Sequence, residues 1–188
     1  MMLQLFLWWL VLELIGVLAL PLALRVLRHL PTRGLGFAKQ IGLLLSAYLL
    51  WALLSVGILR DTTACAAFAL ALVGGASGYL LIRHGDELLS ALRQRWRFLV
   101  AVEVLFLVAM VAFGLFRAYN PDIAATEKPM EFAFINGILR SPTFPPRDPW
   151  LSGFSISYYY FGYVMSAMLT RLSGLPSKIG RASCRERV

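Results

Sequence analysis

Four long apolar runs, and the start of a fifth, set the pattern of the chain. They cover Met2 to Leu24, Ile41 to Leu59, Ala64 to Ile82 and Phe98 to Phe116, and a fifth opens near Tyr158 and runs toward Leu172. About 20 apolar residues cross the roughly 30 Å of hydrocarbon in a bilayer. In lipid each backbone donor and acceptor must be satisfied within its own segment, so the runs are expected to be helices. The pattern predicts an all-α integral membrane fold with about five transmembrane helices. The first run is too long for a signal peptide and lacks a basic leader, so it reads as a retained span.

Between the fourth and fifth runs the pattern changes. Thr126 can cap a helix start and Pro129 suits a first turn. Met130, Phe134 and Ile138 then recur at helical spacing, with Ile135 and Leu139 beside them. This predicts an amphipathic helix over about Glu127 to Arg140, lying on the membrane surface. "SPTFPPRDPW" follows, an extended proline-rich turn that cannot be helical. One structured outer loop, 117–157, is therefore expected; connections this long are usually functional.

Composition agrees. Of 188 residues 59% are hydrophobic and 15% charged, and the mean hydropathy is +0.71. A soluble domain sits near a quarter charged. The net charge of +8 is spread in short clusters between apolar runs, the pattern of membrane topology; there is no nucleic-acid motif. Arg25, Arg28, Arg33 and Lys39 fill segment 25–40, and Arg83, Arg93, Arg95 and Arg97 fill segment 83–97. The positive-inside rule makes both cytoplasmic loops of a cell-membrane protein and puts the N-terminus and loop 117–157 outside. Cys65 and Cys184 have no ligand or disulfide spacing. Two glutamates lie within the spans, Glu13 and Glu103, with no partner at helical spacing. Each is either part of a proton or substrate path or a carboxyl bonded to a neighbouring helix. Ala67, Ala71 and Gly75, with Gly74 and Gly78, predict a close-packing face for the third span.

The outer loop concentrates the titratable groups. Asp122 and Glu127 follow the fourth run, and Asp148 returns near the fifth. Such carboxylates can bind a divalent metal through oxygen or act as a general base. They can equally pair with Arg117, Lys128 and Arg147. Trp150 and the tyrosines "YYYFGY" suit an aromatic belt at the bilayer interface.

"NPDI", "TEKPMEFAFINGILRS", "FPPRDPW" and "YYYFGY", between Arg117 and Met168, resemble the signature of the YYY membrane protein family of bacteria and archaea. That loop is in turn similar to the first outer loop of GT-C glycosyltransferases, integral membrane enzymes that use lipid-phosphate-linked sugars. The resemblance implies an N-terminal three-helix region, 1–97, followed by the start of a GT-C-like core, 98–178. It implies a polyprenyl-phosphate sugar as donor, Asp122 or Glu127 as catalytic base, and Asp148 as ligand to a divalent metal (Mg or Mn) or as an orienting group. Arg117, Lys128, Arg147, Tyr158, Tyr159 and Tyr160 would bind substrate or lipid phosphate. The usual acids of that fold are adjacent or one residue apart, whereas Asp122 and Glu127 are five apart. Such a site needs later helices, so this stretch alone is expected to insert and bind lipid without turnover. The competing class is a non-enzymatic transport or assembly subunit whose loop is a docking surface. Ile179 to Val188, "IGRASCRERV", reads as translated sequencing adapter rather than native protein, the alternative being a basic cytoplasmic tail.

Overall fold

A computed structural model describes residues 2–119, 127–175 and 177. Among the described residues the fold is helical. Its elements are α1 (Met2–Val26), a 3-10 turn (Leu35–Phe37), α2 (Ala38–Ser55), α3 (Thr63–Gln94), α4 (Trp96–Tyr119), α5 (Lys128–Arg140) and α6 (Phe161–Ser173). Four helices are long and apolar enough to span a membrane: Leu3–Val26, Leu35–Ser55, Thr63–Gln94 and Trp96–Tyr119. The fifth run forms α6, which at 13 residues rises only about 20 Å at 1.5 Å per residue.

α1, α2 and α3 pack together, and small residues set how closely. A Cβ on Gly42 of α2 would lie 2.8 Å from the Ile15 carbonyl oxygen of α1. α3 starts on Thr62, whose hydroxyl accepts the Cys65 N–H at 3.2 Å. It buries Cys65, Ala66, Ala69, Leu70, Val73 and Ser77. That face is one position away from most of the expected one: Ala67, Ala71 and Gly75 are exposed, and a Cβ on Gly75 or Gly78 would touch nothing within 4 Å, whereas Gly74 does approach α1, a Cβ there lying 3.2 Å from Leu18.

The two basic segments meet at one end of the bundle. Arg33 lies 3.0 Å from Glu87 and Arg25 3.8 Å from it, while Arg95 donates to the Pro31 carbonyl at 3.1 Å. Segment 83–97 is not a loop, however. α3 continues through it to Gln94 with a break at His84 (φ −136, ψ 25), and α4 opens at Trp96. Leu88 and Leu92 pack there with Leu24, Leu35 and Leu99, and this apolar contact sustains the helix. Lys39 is likewise not in a loop. A left-handed turn at Gly34 (φ 78) and the 3-10 turn lead the chain back along α1, so that a Cβ on Gly16 would meet the Lys39 Cγ at 2.7 Å.

At the opposite end, α5 and α6 pack on each other and, with segment 141–157, on α1–α3. One apolar cluster joins Ile15, Leu50, Leu54 and Ala66 to Phe134, Ile138, Phe144 and Met168. α5 keeps its predicted bounds and its Pro129 in the first turn. It buries Phe134, Gly137 and Ile138 against protein, where the periodicity had suggested membrane surface. α4 differs from the rest. Its spanning window is only 6% buried, and it meets the bundle mainly at α1 and the 3-10 turn.

Because the helix contact at Gly42 includes backbone, Gly42→Ala is expected to lower stability by about 1–3 kcal/mol, the range for overpacking. Gly75→Ala, in open space, should leave it unchanged or slightly raised. Thermal unfolding in detergent checks the pair; equal midpoints for wild type and Gly42→Ala would contradict the packing.

Candidate functional site

Segment 141–157 is built by local hydrogen bonds. The Ser141 hydroxyl donates to the Gly137 carbonyl and accepts the Arg147 N–H, both at 2.8 Å. The Asp148 carboxylate accepts the N–H groups of Trp150 and Leu151 at 2.8 and 2.9 Å, closing a turn of the type aspartate favours. Arg147 pairs with Ser155 in an antiparallel bridge. Gly137 matters because the turn lies against it: a Cβ there would sit 3.2 Å from the Arg147 carbonyl oxygen.

The tyrosines divide by role. Tyr160 accepts the Trp51 indole N–H of α2 at 3.0 Å and sets its ring edge-on to Phe144. Phe161 meets Trp51 edge-on. Tyr158 stacks on Phe134 at 5.8 Å and stays half exposed, and Tyr159 is 87% exposed. Trp150 also lies on Phe134, at 5.5 Å.

Arg171, near the end of α6, fixes this cap to the bundle. Its Nη2 lies 2.7 Å from Asp61 Oδ2 in the α2–α3 hairpin and donates to the Leu139 carbonyl at 2.8 Å. The Asp61 N–H donates to the Pro142 carbonyl at 2.8 Å. Burial pushes the Asp61 carboxyl above its ordinary value, and Arg171 draws it back.

Between the cap and α4 lies a cavity of about 680 Å³. Apolar side chains line most of it, among them Leu5, Leu12, Phe106, Met110, Phe113 and Ile135. Arg117, at the end of α4, and Lys128 and Glu131, in the first turns of α5, line its charged part. Trp8 also lines it, its indole N–H buried without a hydrogen-bond partner. The site can hold an amphiphile: an apolar body between helices with an anionic group at two cations.

Of the residues expected from sequence, Arg117 and Lys128 come together here. Asp122, Thr126 and the tail 179–188 lie outside the described residues. Glu127 is exposed at the N-cap of α5 without a side-chain capping bond. Asp148 and Arg147 belong to the turn, and Tyr158, Tyr159 and Tyr160 are not among the lining residues. Among the described residues no ion pair joins the loop's acids to Arg117, Lys128 or Arg147. Nor do three His, Cys, Asp or Glu side chains stand close enough to hold a metal. Asp148, with one oxygen already accepting two N–H groups, does not make a metal site by itself, so the described residues do not fit one. Sequence reasoning missed Arg171, Asp61, Trp51 and Trp8. A lone arginine in the fifth apolar run was the available signal for the first.

Four spanning helices closed at one end by a folded cap define a multi-pass helical membrane protein. The chain belongs to the uncharacterized membrane protein family DUF2298, whose profile matches residues 45–180. The match covers the cap, α3, α4 and most of α2 but not α1, and it carries no glycosyltransferase assignment. No curated protein and no solved structure matches the chain.

Removing Asp61 would strand the Arg171 guanidinium. Asp61→Ala is expected to cost about 3–5 kcal/mol, whereas Asp61→Ala combined with Arg171→Leu should recover most of that. Unfolding midpoints of the two variants in detergent test the anchor, and a double variant as unstable as Asp61→Ala would refute it.

Proposed function

We propose that this protein binds a lipid carrying an anionic headgroup, of the polyprenyl-phosphate type, in the cavity between α4 and the cap. The cavity itself carries the reading: an apolar space about 680 Å³ in volume whose charged part holds Arg117, Lys128 and Glu131, two cations against one carboxylate. Phosphate oxygens are the acceptors that two such cations match. In the finer form of the proposal the lipid phosphate bears a sugar, as the likeness of the loop to GT-C glycosyltransferases implies. Glu127 or Asp122 then takes the proton from an acceptor hydroxyl, the hydroxyl oxygen bonds to the anomeric carbon, and the sugar–phosphate bond breaks. Arg117 and Lys128 stabilise the charge left on the phosphate. Asp148 orients the loop through its turn, Tyr160 holds the cap to Trp51, and Arg147, Tyr158 and Tyr159 are open to an acceptor.

A second reading is a docking surface for a transport or assembly partner. Its support is the exposed group Trp150, Leu151, Phe154 and Tyr159 on the cap, a patch of the kind that partners cover.

For orientation we propose that the basic end faces the cytoplasm and the cap lies outside, on the strength of Arg25, Arg28, Arg33 and the arginines of 83–97. Cysteines introduced at Ser90 and Thr143, both exposed, test it in intact cells. An impermeant thiol reagent should reach position 143 and not 90; the reverse pattern inverts the topology.

Binding is tested with the protein in nanodiscs and a polyprenyl phosphate as ligand. Arg117→Gln with Lys128→Gln should weaken binding at least about tenfold, 1.4 kcal/mol being a factor of ten. Undiminished binding would remove the cavity as the phosphate site. In the intact protein, Glu127→Gln or Asp122→Asn should abolish sugar transfer while expression persists, and unchanged transfer in both would leave the partner-docking reading.

A further inference from the structure

Lys39 stands between two carboxylates from different helices. Its Nζ lies 2.9 Å from Glu13 Oε1 of α1 and hydrogen-bonds the Glu103 carboxylate of α4. It also sits over the Phe106 ring, 4.2 Å from the centroid. Glu13 Oε1 is buried and makes no hydrogen bond of acceptable angle. Lys39 and Glu13 are mostly enclosed, with side-chain exposures of 13% and 21%, while Glu103 is more open at 37%.

Two carboxylates sharing one ammonium leave one negative charge uncompensated, within helices that cross the bilayer. A buried charge in that setting is normally paired or neutralised. One proton brings the group to electroneutrality: on Glu13 it leaves the Lys39–Glu103 pair in place, and on Glu103 it breaks the one ion pair between α2 and α4 among the described residues. The other described ion pairs are elsewhere: Arg25 and Arg33 on Glu87 at the basic end, Arg171 on Asp61 at the cap. Among the described residues no charged side chain beyond its own three members makes an ion pair with this cluster.

The cluster also has leverage on the cavity. Glu103, Phe106, Met110, Phe113 and Arg117 recur along one face of α4, and the last four line the cavity. Apart from Glu103, α4 is held by apolar approaches: Gly114 against Leu5 of α1, and Phe98 and Val102 against Gly36. Among the described residues the bond from Glu103 to Lys39 is its one ion pair.

We propose that Glu13, Lys39 and Glu103 form an intramembrane proton-binding site whose occupancy sets the position of α4, the wall that carries Arg117. With Glu103 ionised, Lys39 draws α4 onto the bundle. When a proton from solution bonds to a Glu103 carboxylate oxygen, Lys39 pairs with Glu13 alone and α4 is released; no other bond changes. The proposal stands whichever lipid the cavity takes.

Spin labels at Tyr48 of α2 and Val108 of α4, both exposed, report the α4 distance by double electron–electron resonance in nanodiscs, with the native cysteines replaced. The pH is taken from about 8 to about 4, across the ordinary carboxyl range. The wild-type distance distribution should be narrow at the high end and become longer and broader at the low end. Glu103→Gln, which keeps a polar side chain without the charge, should give the acid distribution at both. A wild-type distribution unchanged by pH overturns the proposal, as does a Glu103→Gln protein that holds the narrow distribution. If Glu103→Gln does not fold, the wild-type titration alone decides.

Discussion

The Arg171 guanidinium, held between the Asp61 carboxylate and the Leu139 carbonyl, joins three pieces of chain that are distant in sequence. It fixes the end of α6 to the α2–α3 hairpin and to the end of α5. α6 and α5 are each 13 residues long, near the length at which isolated helices are marginal in water. They persist because the cap is docked: the ion pair sets its position, and Phe134, Ile138, Val164 and Met168 supply buried apolar surface around it. An ion pair this enclosed adds little net stability, since desolvation offsets much of the attraction. What it does supply is register. A cap shifted by one helical turn would leave both charges unpaired.

Fixing the cap gives the cavity a rigid wall, and α4 is the other wall. The contrast between them is the functional point of the fold. The cap side is held by hydrogen bonds from the Trp51 indole N–H to Tyr160, from the Asp61 N–H to the Pro142 carbonyl and through the Asp148 turn. The α4 side is held by Gly114 against Leu5, by Phe98 and Val102 against Gly36, and by Lys39. A hydrophobic helix with so little of its surface buried does not lose energy by moving within lipid, because lipid tails are as apolar as its neighbours. The proposed opening of the cavity would therefore be governed by polar groups, few as they are.

The spans were legible because 20-residue apolar runs have one stable solution in a bilayer, and α5 was legible because Met130, Phe134 and Ile138 fall on one helical face. The expectations that failed did so for a common reason. Lys39, Arg83 and Arg93 were read as loop residues because charge counting along a chain ignores which helix continues past the membrane. α3 does so through Leu88 and Leu92. Ala67, Ala71 and Gly75 suggested a packing face, yet the neighbouring Leu70 and Val73 bury more area. Lys39 and its glutamates are 26 and 64 positions apart, so no local spacing could pair them. Of the loop cations expected at a site, Arg117 and Lys128 line the cavity, whereas Arg147 belongs to the turn. Trp8 was not read at all, because nothing in its sequence neighbourhood points to a cavity formed by α4, α5 and α6.

The central claim is that the space between α4 and the cap, rather than the general lipid-facing surface, receives an anionic lipid. The most direct measurement is photocrosslinking with a polyprenyl phosphate bearing a diazirine in its chain, followed by mapping of the adducts by mass spectrometry. Adducts concentrated on Phe106, Met110, Phe132 and Ile135, all cavity-lining, are the predicted result. Adducts spread equally over the outward residues Leu105, Val108 and Phe116 of α4, all exposed, would contradict it.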